Sequence, residues 1–281
     1  MRAATTKAFG IALAFLIGAL PARADVVAGL DRLRAGDVAG ARAEFSRALE
    51  AGDADAAYYL GRLAEAASRG VPDPSAVTLY ERGVEGGSAR AMARLGLLHR
   101  EGLVVLQDYA RSGELVCAAA EAGIADGLYD CAIARLDGLG VARDRTAGLD
   151  LLDRAVAAGH VGAKVLRAQL LLEGPVAERD PRRAAELLQQ AAASGNPVGV
   201  FALGQAFALG IGVDQDPVKA HAFLNIAAAL GHPEGEAARD LVEAQLDAAG
   251  LLRAHRHARA WRPLPLDETG TIDRLLDASA R

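Results

Sequence analysis

Histidine side chains are the first candidates for chemistry in this chain, because an imidazole can bind a metal ion or act as a general base near neutral pH. Six histidines occur in the sequence. His255 and His257 lie in the run RAHRHAR (253–259), but residues two apart on a helix face different directions, so we expect no zinc site there. We interpret the run as a basic surface, with contact to an anion or a partner as the alternative. His160 and His232 each follow a glycine that recurs along the chain, which indicates a structural turn position.

The other sequence patterns that could support catalysis are weak. The segment GLGVARD (138–144) contains a pair of glycines, but we expect it to join two helices, whereas a dinucleotide-binding loop joins a strand to a helix. We find no nucleophile motif, metal-ligand spacing or phosphate-binding loop in the sequence. We therefore predict no catalytic residue, no metal site and no cofactor.

The first 24 residues have the pattern of a secretory signal peptide. Arg2 and Lys7 precede an apolar stretch (11–20), and residues 22–24 (Ala-Arg-Ala) form a typical cleavage site. We predict cleavage after Ala24 and a periplasmic mature protein, with secretion as the alternative. The apolar stretch is shorter than the roughly 18 residues that a membrane span needs, and no later stretch reaches that length.

The net charge argues against two classes of partner. The whole chain carries a formal charge of −5, and loss of three basic residues with the predicted signal peptide would give −8. Nucleic acids and anionic membranes both attract basic surfaces. We therefore expect no nucleic-acid partner and no direct membrane insertion.

One residue pattern recurs about every 36 residues, which is typical of a repeat protein. The recurring aspartates are Asp37, Asp73, Asp108, Asp144, Asp180 and Asp216. The recurring glycines are Gly52, Gly87, Gly123, Gly159, Gly195 and Gly231. A first small-residue position holds Gly61, Gly96, Ala132, Ala168 and Gly204, and a second holds Ala56, Ala91, Gly127, Ala163 and Gly199.

The chemistry of these positions predicts helical hairpins. Aspartate followed by proline, as at Asp73, Asp180 and Asp216, is typical of a helix N-cap, and the recurring glycine is typical of a left-handed turn after a helix. We name the helix between them helix B. Helix A follows the glycine and carries both small-residue positions. Because glycine inside a helix costs about 1 kcal/mol relative to alanine, we expect a neighbouring helix to pack closely there.

Two segments carry the fullest copies of the pattern: GVFALGQAFALGIGVDQDPVKAHAFLNIAAALG (199–231) and GLYDCAIARLDGLGVARDRTAGLDLLDRAVAAG (127–159). They resemble the Sel-like repeat family, a branch of the tetratricopeptide-like α-solenoids. The resemblance implies an all-α fold, a right-handed α-solenoid of about five to six helical hairpins of 36 residues with C-terminal capping helices. Weaker copies lie at 53–87, 88–123 and 160–195, after a truncated first unit at 25–52.

The resulting domain prediction has four parts. We predict a signal peptide (1–24), the solenoid (25–231), capping helices (232–262) and a tail (263–281). We expect two capping helices, separated by a break at Gly250. The tail is predicted to begin as an extended linker, and an interaction tail is the alternative to a plain terminus.

Cys117 and Cys131 are the only cysteines in the sequence, and an oxidising compartment would permit a disulfide. They lie six residues before and eight residues after Gly123, at similar heights on adjacent predicted helices, which favours pairing. The repeat argues against it, because Cys117 replaces residues expected to be exposed and Cys131 replaces leucines expected to be buried. Some secreted members of the resembled family join their hairpins in this way. The disulfide remains an open alternative.

The resemblance implies that the A helices line the concave side of the solenoid, where partners usually dock. Positions −2, +1 and +5, counted from the first small-residue position, are expected to point away from the packed side. The candidate groove residues are Tyr59, Arg62, Arg94, Asp130, Gln169 and Gln205. Because tyrosine and arginine are enriched at binding hot spots, we expect Tyr59, Arg62 and Arg94 to form the centre.

Our leading hypothesis for the function is a periplasmic scaffold or adaptor without enzymatic activity. It would bind another periplasmic protein or the periplasmic part of a membrane protein, and the resemblance implies a regulator of a membrane sensor or an adaptor in envelope or exopolysaccharide processes. One alternative is an enzyme or ligand binder that acts on cell-wall material, by binding or hydrolysing β-lactams. The other is a purely architectural envelope protein.

Overall fold

The structure is a computed structural model that describes residues 26–68, 73–102, 104–175 and 178–264. These residues form fourteen α-helices and no β-strand. The helices are α1 (Val26–Arg34), α2 (Val38–Glu50), α3 (Asp55–Ala67), α4 (Pro74–Glu85), α5 (Ala89–Glu101), α6 (Tyr109–Glu121), α7 (Ala125–Asp137), α8 (Arg145–Ala157), α9 (Val161–Glu173), α10 (Pro181–Ala193), α11 (Pro197–Leu209), α12 (Pro217–Ala229), α13 (Gly235–Glu243) and α14 (Ala248–Ala260). The predicted signal peptide (1–24) and residues 265–281 of the predicted tail lie outside the described residues.

The first twelve helices form six hairpins that stack in chain order. Odd-numbered helices from α1 to α11 are A helices, and even-numbered helices from α2 to α12 are B helices. Each helix B contacts both its own helix A and the helix A of the next hairpin, and α13 and α14 both contact α12 at the end of the stack. The predicted all-α solenoid of helical hairpins is therefore confirmed. Within the described residues, no helix is long and apolar enough to cross a membrane.

All six recurring aspartates cap the N-terminus of a helix B. Each carboxylate accepts a hydrogen bond from a backbone N–H two or three residues later. Asp144 Oδ1, for example, accepts from the Ala147 N–H at 3.0 Å. These bonds satisfy donors that a helix end would otherwise leave unpaired, so the aspartates fix where each helix B begins.

The recurring glycines end each helix B as predicted. All six adopt a left-handed φ, between +79° and +94°. At Gly159 the N–H donates to Val156 O at 3.0 Å, and the N–H of His160 donates to Ala155 O at 3.0 Å. This pair of bonds is a Schellman motif, which closes the helix and turns the chain into the next helix A.

The two small-residue positions pack against different neighbours. A Cβ on Gly204, at the first position, would lie 2.9 Å from Leu224 Cγ, on helix B of the same hairpin. A Cβ on Gly199, at the second position, would lie 2.7 Å from Ala191 Cβ and 2.9 Å from the Ala191 carbonyl carbon, on helix B of the preceding hairpin. The first position therefore closes each hairpin, and the second joins one hairpin to the next.

The structure corrects one expectation at the C-terminal end. Gly250 does not separate the capping helices, because it lies inside α14, where its N–H donates to the capping carboxylate of Asp247. The break between α13 and α14 lies at 244–247 instead. The repeat also continues for one more position beyond Gly231, since Gly235 follows Gly199 by 36 residues and packs on the Ala228 backbone in the same manner.

Substitution of Gly199 by alanine tests this packing. Alanine is the better helix former by about 1 kcal/mol, yet we expect Gly199→Ala to lower the free energy of unfolding by about 1–3 kcal/mol, because its Cβ would overlap the Ala191 backbone. The exposed control Gln205→Ala is expected to change it by less than about 0.5 kcal/mol. Urea unfolding measures both, and a stabilised Gly199→Ala protein would contradict the assignment.

Candidate functional site

The structure places the six candidate groove residues on A helices of five successive hairpins. Tyr59 and Arg62 lie on α3, Arg94 on α5, Asp130 on α7, Gln169 on α9 and Gln205 on α11. Gln169 and Gln205 are exposed, as expected, whereas Arg62 and Arg94 are half-buried. The candidates therefore occupy two repeat positions, −2 and +1, and differ in their environment.

Tyr59 is not an exposed groove residue, so that expectation is wrong. Its side chain is buried, with its ring stacked on Phe45 at a centroid distance of 5.0 Å and against the edge of Tyr58 at 5.1 Å. Because α2 contributes a phenylalanine to this junction, position −2 of α3 belongs to an aromatic core. Tyr59 therefore packs within the core of the first hairpins.

Arg62 and Arg94 converge on Glu65, a residue that the sequence analysis missed. Arg94 Nε and Nη2 lie 3.1 Å and 2.9 Å from the Glu65 carboxylate oxygens, and Arg62 Nε lies 3.2 Å from Glu65 Oε2. Burial by itself would lower the pKa of Arg94, but the charge and hydrogen bonds of Glu65 outweigh it, so this pKa is raised. Two guanidinium groups thus lie around one carboxylate.

Asp130 is also buried rather than exposed, which corrects a second expectation. Arg100 on α5 donates to Asp130 Oδ1 at 2.8 Å, across the junction of two A helices. Burial raises the pKa of Asp130 to about 6, although the charge and hydrogen bond of Arg100 lower it. Asp130 is therefore a structural partner of Arg100.

These ion pairs follow one rule of the repeat. Position +4 of one helix A, counted from the first small-residue position, contacts position −2 of the next helix A. Glu65 with Arg94 and Arg100 with Asp130 are the two charged examples. In later hairpins the same positions hold apolar residues: Leu136 with Leu166, and Leu172 with Ala202.

The charged contacts between successive A helices thus lie on α3, α5 and α7. We name this surface the arginine seam and define it by four arginines and three acids: Arg62, Arg90, Arg94, Arg100, Asp55, Glu65 and Asp130. The four guanidinium groups are each held near a carboxylate or a tyrosine hydroxyl while part of their surface remains open. Such fixed, half-buried arginines lose little conformational entropy when a partner binds.

Cys117 and Cys131 are joined by a disulfide in the structure. Their Cα atoms lie 4.9 Å apart and link α6 to α7. The equivalent residues one repeat later, Asp153 and Arg167, form an ion pair with Arg167 Nε 2.7 Å from Asp153 Oδ1. The junction between the third and fourth hairpins is therefore closed covalently, and the junction between the fourth and fifth is closed electrostatically.

Two successive grooves lie beside these junctions, on the side of the B helices. The middle groove, of about 450 Å³, is lined by Asp153, Val156, Ala157, Arg167, Leu171, Asp180, Arg183 and Leu187. The end groove, of about 410 Å³, is lined by Gln189, Leu203, Phe207, Lys219, Ala222, Phe223 and Ile226, together with His257, Ala260 and Trp261 at the end of α14. The C-terminal helix thus covers one groove of a repeating series.

His160 and His232 occupy structural turn positions. His160 Nδ1 accepts from the Ala163 N–H at 2.9 Å, and its ring stacks on Tyr129 at 4.3 Å. His232, two repeats later, stacks on Phe201 at 3.9 Å. In the described part of the chain, no group of three or more His, Cys, Asp or Glu side chains is arranged to hold a metal ion.

Comparison with known proteins identifies the repeat. The family model described as the Sel1 repeat matches residues 89–124, 125–160, 163–196 and 197–232, which together are just over half of the chain. These matches begin at helix A of the third hairpin and end after helix B of the sixth. No curated protein matches the chain.

Solved structures give the same result for the fold. A protective antigen present in uropathogenic Escherichia coli strains, which displays an SLR fold, superposes with a TM-score of 0.71 at 22% identity, covering 92% of this chain and 55% of that protein. A Sel1 repeat protein from Oxalobacter formigenes superposes with a TM-score of 0.63 at 28% identity, covering 79% of this chain and 66% of that one. The chain therefore spans between half and two thirds of the length of these two proteins.

The buried Asp130 predicts a characteristic dependence of stability on pH. Because its pKa in the folded protein, about 6, is above the unfolded value of 3.8, the folded state holds the proton more tightly. The free energy of unfolding should therefore fall, by up to about 3 kcal/mol, as the pH rises from about 4 to 7. Asp130→Asn should remove this part of the pH dependence, and Asp137→Asn, at an exposed residue of the same helix, should retain it. Identical profiles of wild type and Asp130→Asn would show that Arg100 outweighs burial.

The disulfide should contribute more to the free energy of unfolding than the ion pair at the equivalent position. Because the disulfide joins residues 14 apart, the double substitution Cys117→Ala and Cys131→Ala should lower the free energy of unfolding by about 3 kcal/mol. Asp153→Asn, which removes the exposed ion pair at the equivalent position, should cost less than about 1 kcal/mol. Urea unfolding of the oxidised proteins compares them, and equal losses would contradict this ranking.

Proposed function

Because the chain belongs to the Sel1 repeat family, we propose that it is an exported scaffold that binds another protein through its A helices. Sel1 repeat proteins are protein-interaction scaffolds. The proposed partner is a periplasmic protein or the periplasmic part of a membrane protein, and the proposed scaffold has no catalytic role. The proposal of export depends on the signal-peptide pattern of residues 1–24.

The arginine seam is the observation that supports docking on the A helices. It provides four guanidinium groups on two adjacent A helices, α3 and α5, and arginine is enriched at protein interfaces. Intramolecular carboxylates hold these groups in place, yet their side chains remain partly accessible, as the 29% exposure of Arg94 and the 26% exposure of Arg100 indicate. A partner segment that presents carboxylate or aromatic side chains would complement this surface.

The arginine seam also makes the N-terminal half of the A-helix surface different from the C-terminal half. Its charges lie on α3, α5 and α7, whereas the equivalent inter-helix positions from α7 onward are apolar, and Gln169 and Gln205 lie exposed on α9 and α11. We therefore propose that the N-terminal half of the A-helix surface supplies the specific contacts. The C-terminal half would extend the contact area with neutral residues.

Site-specific photo-crosslinking in the periplasm tests this proposal. A probe at Leu97, which is equivalent to Arg62 on α5, should form a crosslink to one recurring protein. Arg94→Met should reduce that crosslink by tenfold or more, which corresponds to a loss of about 1.4 kcal/mol. Arg111→Met is the matched control, because Arg111 lies on helix B α6 and pairs with Glu114.

A second probe position distinguishes the halves of the solenoid. Gln205 occupies the position on α11 that Leu97 occupies on α5. A crosslink from Leu97 that Arg94→Met and Arg111→Met weaken equally would contradict docking at the seam, provided that circular dichroism and thermal unfolding show both variants to be folded. A crosslink from Gln205 alone would place the partner on the C-terminal half.

A further inference from the structure

We propose that the C-terminal end of the solenoid binds a small aromatic carboxylate in a site built mainly by α11, α12 and α14. The site consists of the end groove and a second cavity beside it, which we name the outer cavity. The outer cavity, of about 430 Å³, is lined by Asn225, Ile226, Ala229, Leu230, His255, Ala258, Arg259 and Trp261. Because the arginine seam lies on other helices, this inference does not depend on the proposed function.

The end groove and the outer cavity share two lining side chains. Ile226 lies on α12, and Trp261 follows directly after α14, so both cavities adjoin the contact between these two helices. A molecule that fills one cavity therefore contacts the wall of the other. Each volume falls within the range of roughly 300–1,000 Å³ that is typical of small-molecule pockets.

The end groove presents an aromatic lining. The rings of Phe207 and Phe223 are nearly parallel, with centroids 5.7 Å apart, and Trp261 lines the same groove. All three side chains are only half-buried, so each keeps part of its surface accessible. Because aromatic rings pack favourably on one another, an aromatic group is the body that this lining complements.

The aromatic lining is specific to the last hairpin, since the middle groove lacks it. The equivalent lining residues of the middle groove and the end groove, 36 positions apart, are Asp153 and Gln189, Arg167 and Leu203, Leu171 and Phe207, Arg183 and Lys219, and Leu187 and Phe223. The end groove has thus exchanged an ion pair for neutral side chains and two leucines for phenylalanines. The middle groove keeps the same helix arrangement without these changes, so the repeat fold does not require them.

Cationic side chains line both cavities, although the chain as a whole has a net charge of −5. Lys219 lines the end groove and Arg259 the outer cavity, and among the described lining residues there is no acid. Asp216 Oδ2 lies 3.4 Å from Lys219 Nζ and balances part of its charge. Within the described part of the chain, Arg259 belongs to no ion pair. Its guanidinium group therefore complements an anionic ligand.

This site gives a specific role to the basic run at 253–259. His255 and Arg259 line the outer cavity, and His257 lines the end groove, whereas Arg253 and Arg256 line neither cavity. The run is therefore more than a uniform basic surface. We assign Arg259 as the residue that contacts the carboxylate, with the aromatic body of the ligand in the end groove.

Fluorescence of Trp261 tests the proposal in the purified protein, because it is the only tryptophan in the sequence and lines both cavities. The probe is phenylbutyrate, and its control is phenylbutanamide, which has the same ring and chain without the charge. We expect phenylbutyrate to change the Trp261 emission in a saturable manner. Phenylbutanamide should bind at least fivefold more weakly, because charge-assisted hydrogen bonds are stronger than neutral ones.

Substitution of Arg259 tests the anionic part of the site. Arg259→Gln should weaken the binding of phenylbutyrate at least fivefold and leave the binding of phenylbutanamide unchanged. Arg256→Gln is the matched control, because Arg256 is exposed on the same helix and lines neither cavity. It should leave the affinity for both compounds unchanged.

Substitution of the phenylalanines tests the aromatic part of the site. Phe207→Leu and Phe223→Leu should each weaken the binding of both compounds at least threefold, because a stacking partner is lost. The middle groove holds leucine at both equivalent positions, so we expect these variants to fold. Thermal unfolding of each variant verifies this before the titration.

Three results would overturn the proposal. One is the absence of a saturable change in Trp261 emission with phenylbutyrate up to about 10 mM, since weak binding of so small a molecule is expected within that range. Another is equal affinity for phenylbutyrate and phenylbutanamide, which would leave an apolar groove without a role for Arg259. The third is an equal loss of affinity in Arg259→Gln and Arg256→Gln, which would indicate general attraction to a basic helix.

Discussion

Close contact between helices at residues without bulky side chains is the constraint on which the rest of this structure depends. A single helical hairpin cannot bury its apolar side, so each hairpin must lie against the next. The first small-residue position, for example Gly204, allows the two helices of a hairpin to touch. The second small-residue position, for example Gly199, allows successive hairpins to touch. The aspartate caps and the left-handed glycines then fix where each helix begins and ends, which keeps both contacts in register over six hairpins.

With the backbone contacts fixed, the remaining repeat positions can carry different chemistry in each hairpin. The junction between a helix B and the next helix A is closed by a disulfide at Cys117 and Cys131, and by an ion pair at Asp153 and Arg167. The contact between successive A helices is charged at Glu65 and Arg94 and becomes apolar further along the chain. A regular scaffold thereby acquires a charged A-helix surface at one end and two grooves on its B-helix side at the other. This asymmetry is what a binding scaffold needs in order to select a partner.

The parts of the fold that depend on local chemistry could be predicted from the sequence. The aspartates before helix B and the glycines after it act through hydrogen bonds to residues at most five positions away, so their spacing alone predicted the hairpins. The candidate site depends on contacts between repeats, and there prediction was less successful. Tyr59 and Asp130 occupy a position that was expected to face solvent, but Phe45 and Arg100 from neighbouring helices bury them. Glu65 was missed because its role appears only when position +4 of one hairpin is placed beside position −2 of the next. The sequence did not decide whether the disulfide forms for a similar reason. The residues that other repeats hold at the positions of Cys117 and Cys131 do not show which side chains meet at this particular junction.

The central claim is that a protein partner binds the A helices at the arginine seam. Amide hydrogen exchange of the purified protein, with and without its co-purified partner, tests this claim most directly, because it reports on every helix at once. The account predicts slower exchange in α3, α5 and α7 in the complex, with the B helices α4, α6 and α8 little changed. Slower exchange confined to α8, α10 and α14 would contradict it and would place the partner on the side of the B helices.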